Sequence, residues 1–176
     1  MYQAKNGSKN IFRNAVLAGG LAAAGVVLSF VSIPVGPVKC FPFQHSINVI
    51  AGVVLGPFWA VGAAFTTSLI RNIIGTGSLF AFPGSIFGAL FAGLAAGLLP
   101  HRFKIAAACA EPVGTGIVGA WVSAQIVAPL TGNGVGFTFL STSFLISSIP
   151  GSLIGASVLY CLKKRNLLEN QIGVML

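Results

Sequence analysis

From Phe12 to Leu162 the chain is a succession of apolar runs, broken by proline and glycine and almost never by charge. Charged residues make up 7% of the sequence and hydrophobic residues 55%, and the mean hydropathy is +0.92. A water-soluble domain of this size would lack the polar surface to cover itself. In a bilayer, backbone polar groups must be satisfied within the segment, which favours helices. At roughly 20 apolar residues per crossing, the 176 residues have room for about six crossings and little else. The expected fold is an all-α membrane protein with six transmembrane helices, forming a single integral membrane domain over residues 1–176.

Proline and glycine mark the divisions. Span one is expected over Phe12 to Val31, after a cytoplasmic tail 1–11, and the basic residues before it do not make it a cleaved leader because further apolar runs follow. Ser32 to Phe43, with Pro34, Pro37 and Pro42, reads as a loop. Span two covers Gln44 to Leu55 and, after Gly56-Pro57, span three covers Phe58 to Ile74. Span four runs from Phe82 to Leu99, Pro100-His101-Arg102 is a tight polar link, and span five covers Phe103 to Ala128 with Pro112 inside it. A glycine-rich loop, Pro129 to Gly136, precedes span six, Phe137 to Leu162, and a cytoplasmic tail 163–176.

Basic residues set the orientation, because loops rich in Lys and Arg stay in the cytoplasm. With the N-terminus inside, Lys5, Lys9, Arg13, Arg102, Lys104, Lys163, Lys164 and Arg165 are cytoplasmic, and only Lys39 and Arg71 lie outside. Both termini are therefore expected in the cytoplasm. The net charge of +8 follows span ends and forms no patch with interleaved aromatics, so nucleic acid is not an expected partner. Cys40, Cys109 and Cys161 are odd in number and widely spaced, which gives no disulfide framework and no zinc site. No P-loop, no His-Glu-x-x-His and no Gly-x-Ser-x-Gly is present, so neither ATP hydrolysis nor an intramembrane enzyme is expected, and no cofactor is implied.

The stretch Arg71 to Ser85 holds a cation, a Gly-Thr-Gly that cannot continue a helix, two phenylalanines and a proline. Broken backbone between membrane-length segments is tolerated where protein or water satisfies it, so this stretch is a candidate wall of a ligand site; a plain turn with Arg71 snorkelling to the headgroups is the alternative. Glu111 is the only acid within a span, and a charged group near the bilayer centre costs about 2.5–3.5 kcal/mol on insertion scales, so it needs a partner or a function. His45 and Asn48 fall one helical turn apart beside Gln44. Trp121 and Gln125 pair an aromatic plane with an amide, unless Trp121 belongs to an interfacial belt. Ser141, Thr142, Ser143, Ser147 and Ser148 either line a pocket or bond helix carbonyls. Ala15, Ala18, Gly19, Ala22 and Ala23 form a small-residue stripe on which another helix, of this chain or a partner, can pack closely. Two internal echoes hint at duplication: Gly75-Thr76-Gly77 returns as Gly114-Thr115-Gly116, and Pro83-Gly84-Ser85 through Ala89 as Pro150-Gly151-Ser152 through Ala156.

Taken together, Phe41-Pro42-Phe43-Gln44-His45-x-x-Asn48, Leu55-Gly56-Pro57, Arg71-Asn72-x-x-Gly75-Thr76-Gly77, Ala81-Phe82-Pro83-Gly84-Ser85 and Glu111-x-x-Gly114-Thr115-Gly116 closely resemble the ThiW family. That family belongs to the substrate-binding S components of energy-coupling factor (ECF) transporters. The resemblance implies an S-component-like bundle in a bacterial plasma membrane that captures the thiamin precursor hydroxyethylthiazole from outside. It also implies dependence on a transmembrane coupling protein and two ATPase subunits, docked on the Ala15, Ala18, Gly19, Ala22 and Ala23 face. A small, uncharged aromatic ligand calls for aromatic walls and a few hydrogen-bonding groups. Phe43, Phe80, Phe82 and Trp121 are candidates for the walls; His45, Asn48, Asn72, Thr76, Thr115 and Gln125 are candidates for polar contacts, with Arg71 and Glu111 at the polar end or paired with each other. Pro34 to Phe43 would form an outer lid. The alternatives are an S component for hydroxymethylpyrimidine or thiamin, a stand-alone small-solute carrier, and a membrane scaffold without ligand.

Overall fold

The computed structural model describes residues 2–35, 38–132 and 134–165, with the side chains of 2–9 and 34–39 left undescribed. Glu169 and the Lys39 side chain therefore lie outside the described residues. Helix α1 spans Tyr2–Leu28, followed by a short antiparallel hairpin of β1, Ile33–Val35, and β2, Val38–Cys40, in which Ile33 faces Cys40. Then come α2, Pro42–Leu55; α3, Pro57–Ile73; and α4, Ala81–Leu98. A continuous helical segment, α5, covers His101–Leu130, and α6 covers Phe137–Lys164.

Four of these segments are long and apolar enough to cross a membrane: Asn10–Leu28 within α1, α4, α5 and α6. The chain is a multi-pass, predominantly helical membrane protein. At 14 residues α2 is about 21 Å long at 1.5 Å per residue, short of a hydrocarbon core of about 30 Å. The segment expected as an irregular loop, Ser32 to Phe43, contains the β1–β2 hairpin, and Pro42 opens α2 from its first position, where a missing N–H costs nothing. Pro100-His101-Arg102 is also not a separate link, because helical turns begin at His101.

α5 is irregular along its length. It starts as 3-10 turns over His101–Cys109 and widens to π turns over Gly114–Gly119 and Ser123–Val127. Its glycines are where neighbours press in: a β-carbon on Gly114 would strike the Phe87 carbonyl of α4, and one on Gly116 would strike Leu145 of α6. Gly52 of α2 likewise packs on the Ala92–Gly93 backbone of α4, and Gly93 on Pro57. Close backbone approach replaces large side chains as the packing device, as expected where lipid gives helices no hydrophobic drive to associate.

At one end of the bundle Val49, Val53, Ala96, Ala107, Ala108 and Leu159 form an apolar core joining α2, α4, α5 and α6. At the side, Ala18 and Ala22 of α1 are buried on Ala63 of α3. The small-residue stripe is thus divided: Ala18 and Ala22 are used internally, while Ala15, Gly19 and Ala23 face outward, with open space beyond the Gly19 α-carbon.

Candidate functional site

The opposite end of the bundle holds a cavity of about 620 Å³, within the size range of about 300–1,000 Å³ typical of small-molecule sites. It opens among the C-terminal end of α1, the N-terminal ends of α2, α4 and α6, and the α3–α4 turn. Phe41, Phe80, Phe139 and Phe144 contribute aromatic surface; Gln44, His45, Arg71, Ser85, Ser143 and Ser147 contribute polar groups. Ser32 and Phe41, on either side of the β1–β2 hairpin, both reach the cavity, which ties the hairpin to its mouth.

Arg71 is 2% exposed although it is the cation of the last turn of α3. The turn that follows explains this. Gly75 adopts φ +75°, a left-handed conformation suited to glycine, and the Thr76 and Gly77 N–H groups both donate to the Arg71 carbonyl at 2.9 Å. The chain folds back over the helix end, and Arg71 Nη2 donates to the Thr76 carbonyl at 3.2 Å. The guanidinium carbon lies 4.3 Å from the Phe41 ring centroid, a cation–π arrangement, while Nε is buried without a partner. Among the described residues no acid pairs with Arg71, so the expected alternative of an Arg71–Glu111 pair is not what forms.

Glu111 is instead enclosed one layer behind the cavity wall, at 0% exposure. Its Oε1 lies 2.8 Å from His45 Nδ1 and 2.9 Å from Thr115 Oγ and accepts from Asn48 Nδ2 at 3.3 Å; Oε2 accepts from Ser152 Oγ at 3.1 Å. The Asn48 amide is oriented by Ser85, whose hydroxyl donates to Oδ1 and whose carbonyl accepts from Nδ2. Donors from α2 and α6 therefore converge on one carboxyl group, and the Thr115 hydroxyl of α5 lies 2.9 Å from both Glu111 Oε1 and the Gly84 carbonyl of α4, with one proton between them. Gly88 leaves room for it, since a β-carbon there would collide with Thr115 Oγ and Glu111 Oε1.

The repeated Pro-Gly-Ser motif has a shared use here. Ser85 holds Asn48 and Ser152 holds Glu111, so the two copies approach the same network from α4 and α6. The Gly-Thr-Gly copies do not correspond: Gly75-Thr76-Gly77 is a turn, whereas Gly114-Thr115-Gly116 is helical.

Of the residues singled out from sequence, His45, Arg71, Thr76 and Phe80 line the cavity. Asn48, Glu111 and Thr115 sit directly behind it. Asn72 braces the turn through the Ser68 and Ser78 carbonyls. Phe82 packs on Phe65 with ring centroids 5.6 Å apart, and neither it nor Phe43 borders the cavity. Trp121, 56% exposed, and the exposed Gln125 lie on the outer side of α5, away from the face that packs on α4 and α6. Ser85, at the end of the Arg71–Ser85 stretch expected as a wall, and Ser143 and Ser147 of the serine group also border the cavity, whereas Phe41, Phe139 and Phe144 border it without having been singled out from sequence as wall residues. For Phe41 a signal was present: Pro42 starts the helix, so Phe41 is its cap, held by an N–H bond to Ser147 Oγ at 3.2 Å. Ser141 and Ser143 mostly bond carbonyls, of Gly116 and Phe139, and no group of metal-binding side chains occurs among the described residues.

Among curated proteins, none matches the chain significantly. A family model described as thiamine-precursor transporter protein (ThiW) matches residues 15–165, a range that contains both the cavity and the Glu111 network. The chain belongs to the ThiW family of thiamine-precursor transporters.

Proposed function

We propose that this transporter is the substrate-capture S component of an ECF-type system and that it binds hydroxyethylthiazole in the cavity described above. The observation that carries the reading is the position and make-up of that cavity. It lies at the helix ends opposite Arg102, Lys104, Lys163, Lys164 and Arg165, and basic ends stay in the cytoplasm. On this reading the cavity opens outward, the chain crosses a bacterial plasma membrane six times, and both termini lie on its cytoplasmic side. Short α2 starts below the outer surface, and the β1–β2 hairpin covers the space above it as a lid. Phe41, Phe80, Phe139 and Phe144 take the thiazole ring, and Arg71 and His45 its polar atoms.

Delivery is assigned to partners, because the chain carries no P-loop. A coupling protein and two ATPase subunits would supply the energy, with Ala15, Gly19 and Ala23 presented to the coupling protein. Reconstitution tests this. Vesicles holding the chain alone should retain labelled hydroxyethylthiazole at their surface without accumulating it, and should accumulate it once the partner module and ATP are added. Accumulation by the chain alone would instead make it a self-sufficient carrier.

A further inference from the structure

We infer that Glu111 is a positioning residue that holds the His45 proton on Nδ1, leaving Nε2 as a hydrogen-bond acceptor for a ligand that carries an O–H or N–H donor. The inference rests on the reading that the cavity takes a thiamin precursor, and it adds which polar group of that ligand is selected.

The amide of Asn48 sets the direction of the network. The Ser85 carbonyl can only accept, so the Asn48 nitrogen must face it at 3.2 Å. The same nitrogen then donates toward Glu111 Oε1. Oε1 is also within reach of the Thr115 hydroxyl, and Oε2 of the Ser152 hydroxyl. Held as a carboxylate, Glu111 accepts at both oxygens and donates from neither, so the proton between it and His45 Nδ1, 2.8 Å away, sits on the nitrogen. In a neutral imidazole the hydrogen bond made by one nitrogen decides the state of the other. With Nδ1–H directed at Glu111, Nε2 on the far side of the ring offers a lone pair, and His45 is the network member that lines the cavity together with Ser85.

The polar wall is then divided by role. Arg71 offers only donors and His45 Nε2 offers an acceptor. A ligand with both an acceptor and a donor, such as a ring nitrogen and a hydroxyl, can satisfy the two at once; one lacking the donor leaves Nε2 unpaired.

The test uses nitrogen NMR of the protein labelled on histidine and purified without a histidine tag. The sequence has two histidines, and His101→Gln, at the exposed far end of the bundle, leaves His45 as the sole signal. Expected are a protonated Nδ1 and a bare Nε2 in the free protein, with the Nε2 resonance moving toward the protonated range on saturation with hydroxyethylthiazole. The analogue with an ethyl group in place of the hydroxyethyl should bind at least tenfold more weakly, and His45→Phe should abolish that difference. A protonated Nε2 in the free protein overturns the positioning role, with no need for a Glu111 variant that folds. Equal affinity for the two compounds overturns the donor requirement and leaves the binding site standing; binding of neither overturns the ligand assignment itself.

Discussion

His45 Nδ1 lies 2.8 Å from Glu111 Oε1, and the pair is closed off from solvent on the Glu111 side and open to the cavity on the His45 side. An acid with four hydrogen-bonding groups around it, drawn from three helices, acts on structure as well as on the site. Removing the acid strands buried donors, each at a cost of about 1–3 kcal/mol when left unsatisfied. Glu111→Ala should therefore lower the unfolding midpoint in detergent strongly, whereas Glu111→Gln, which keeps the shape and one acceptor, should lower it less. Equal midpoints for wild type and Glu111→Ala would show that the network carries no stability.

Gly88 and Gly20 give a controlled comparison. A β-carbon at Gly88 would meet Thr115 Oγ and Glu111 Oε1, while at Gly20 it would meet nothing within 4 Å. Overpacking of a tight contact costs about 1–3 kcal/mol. Thermal unfolding should show Gly88→Ala destabilised and Gly20→Ala close to wild type; a neutral Gly88→Ala would contradict the close packing of α4 on α5.

Arg71 places a fixed positive charge in a wall with no acidic side chain among the described lining residues. Thiamin carries a permanent thiazolium charge and hydroxyethylthiazole does not. Like charges at close range disfavour the cation, so thiamin should bind at least tenfold more weakly than the uncharged thiazole. Arg71→Met should narrow that ratio while weakening the thiazole too. Competition titration measures both, and preference for thiamin would show that the guanidinium does not face the ligand.

The divided α1 stripe predicts two different phenotypes. Ala22 is buried on Ala63, so Ala22→Leu should destabilise the chain, as judged by its unfolding midpoint. Gly19 faces open space, so Gly19→Leu should leave folding and ligand binding intact and reduce only uptake that needs the partner module. Normal uptake by a well-expressed Gly19→Leu protein would remove this face from the docking surface.

Much of this arrangement was legible in the sequence, because its strongest signals were local. Proline and glycine placed helix ends within a few residues, as at Pro42, Pro57 and Phe137, and the lone intraspan acid marked Glu111. What one chain could not show was which side of each helix meets which neighbour. Trp121 and Gln125 share a face at helical spacing, but that face is the outer one, because Gly114, Gly116 and Gly119 bring α4 and α6 against the other. Arg71 and Glu111 looked like natural partners by charge alone. The α3–α4 turn keeps Arg71 over Phe41, and His45 reaches Glu111 first. The hairpin after α1 was hidden by Pro34, which is tolerated in a two-stranded ribbon with free edges.

The central claim is that this chain, without any partner, holds hydroxyethylthiazole in the cavity between Arg71 and His45. Calorimetric titration of the purified, detergent-solubilised protein with hydroxyethylthiazole, repeated in the presence of thiamin and of hydroxymethylpyrimidine, tests it most directly. Saturable one-to-one binding of the thiazole is expected, displaced by neither competitor at equal concentration and weakened at least tenfold by Arg71→Met. No heat with the thiazole, or tighter binding of hydroxymethylpyrimidine, would contradict it.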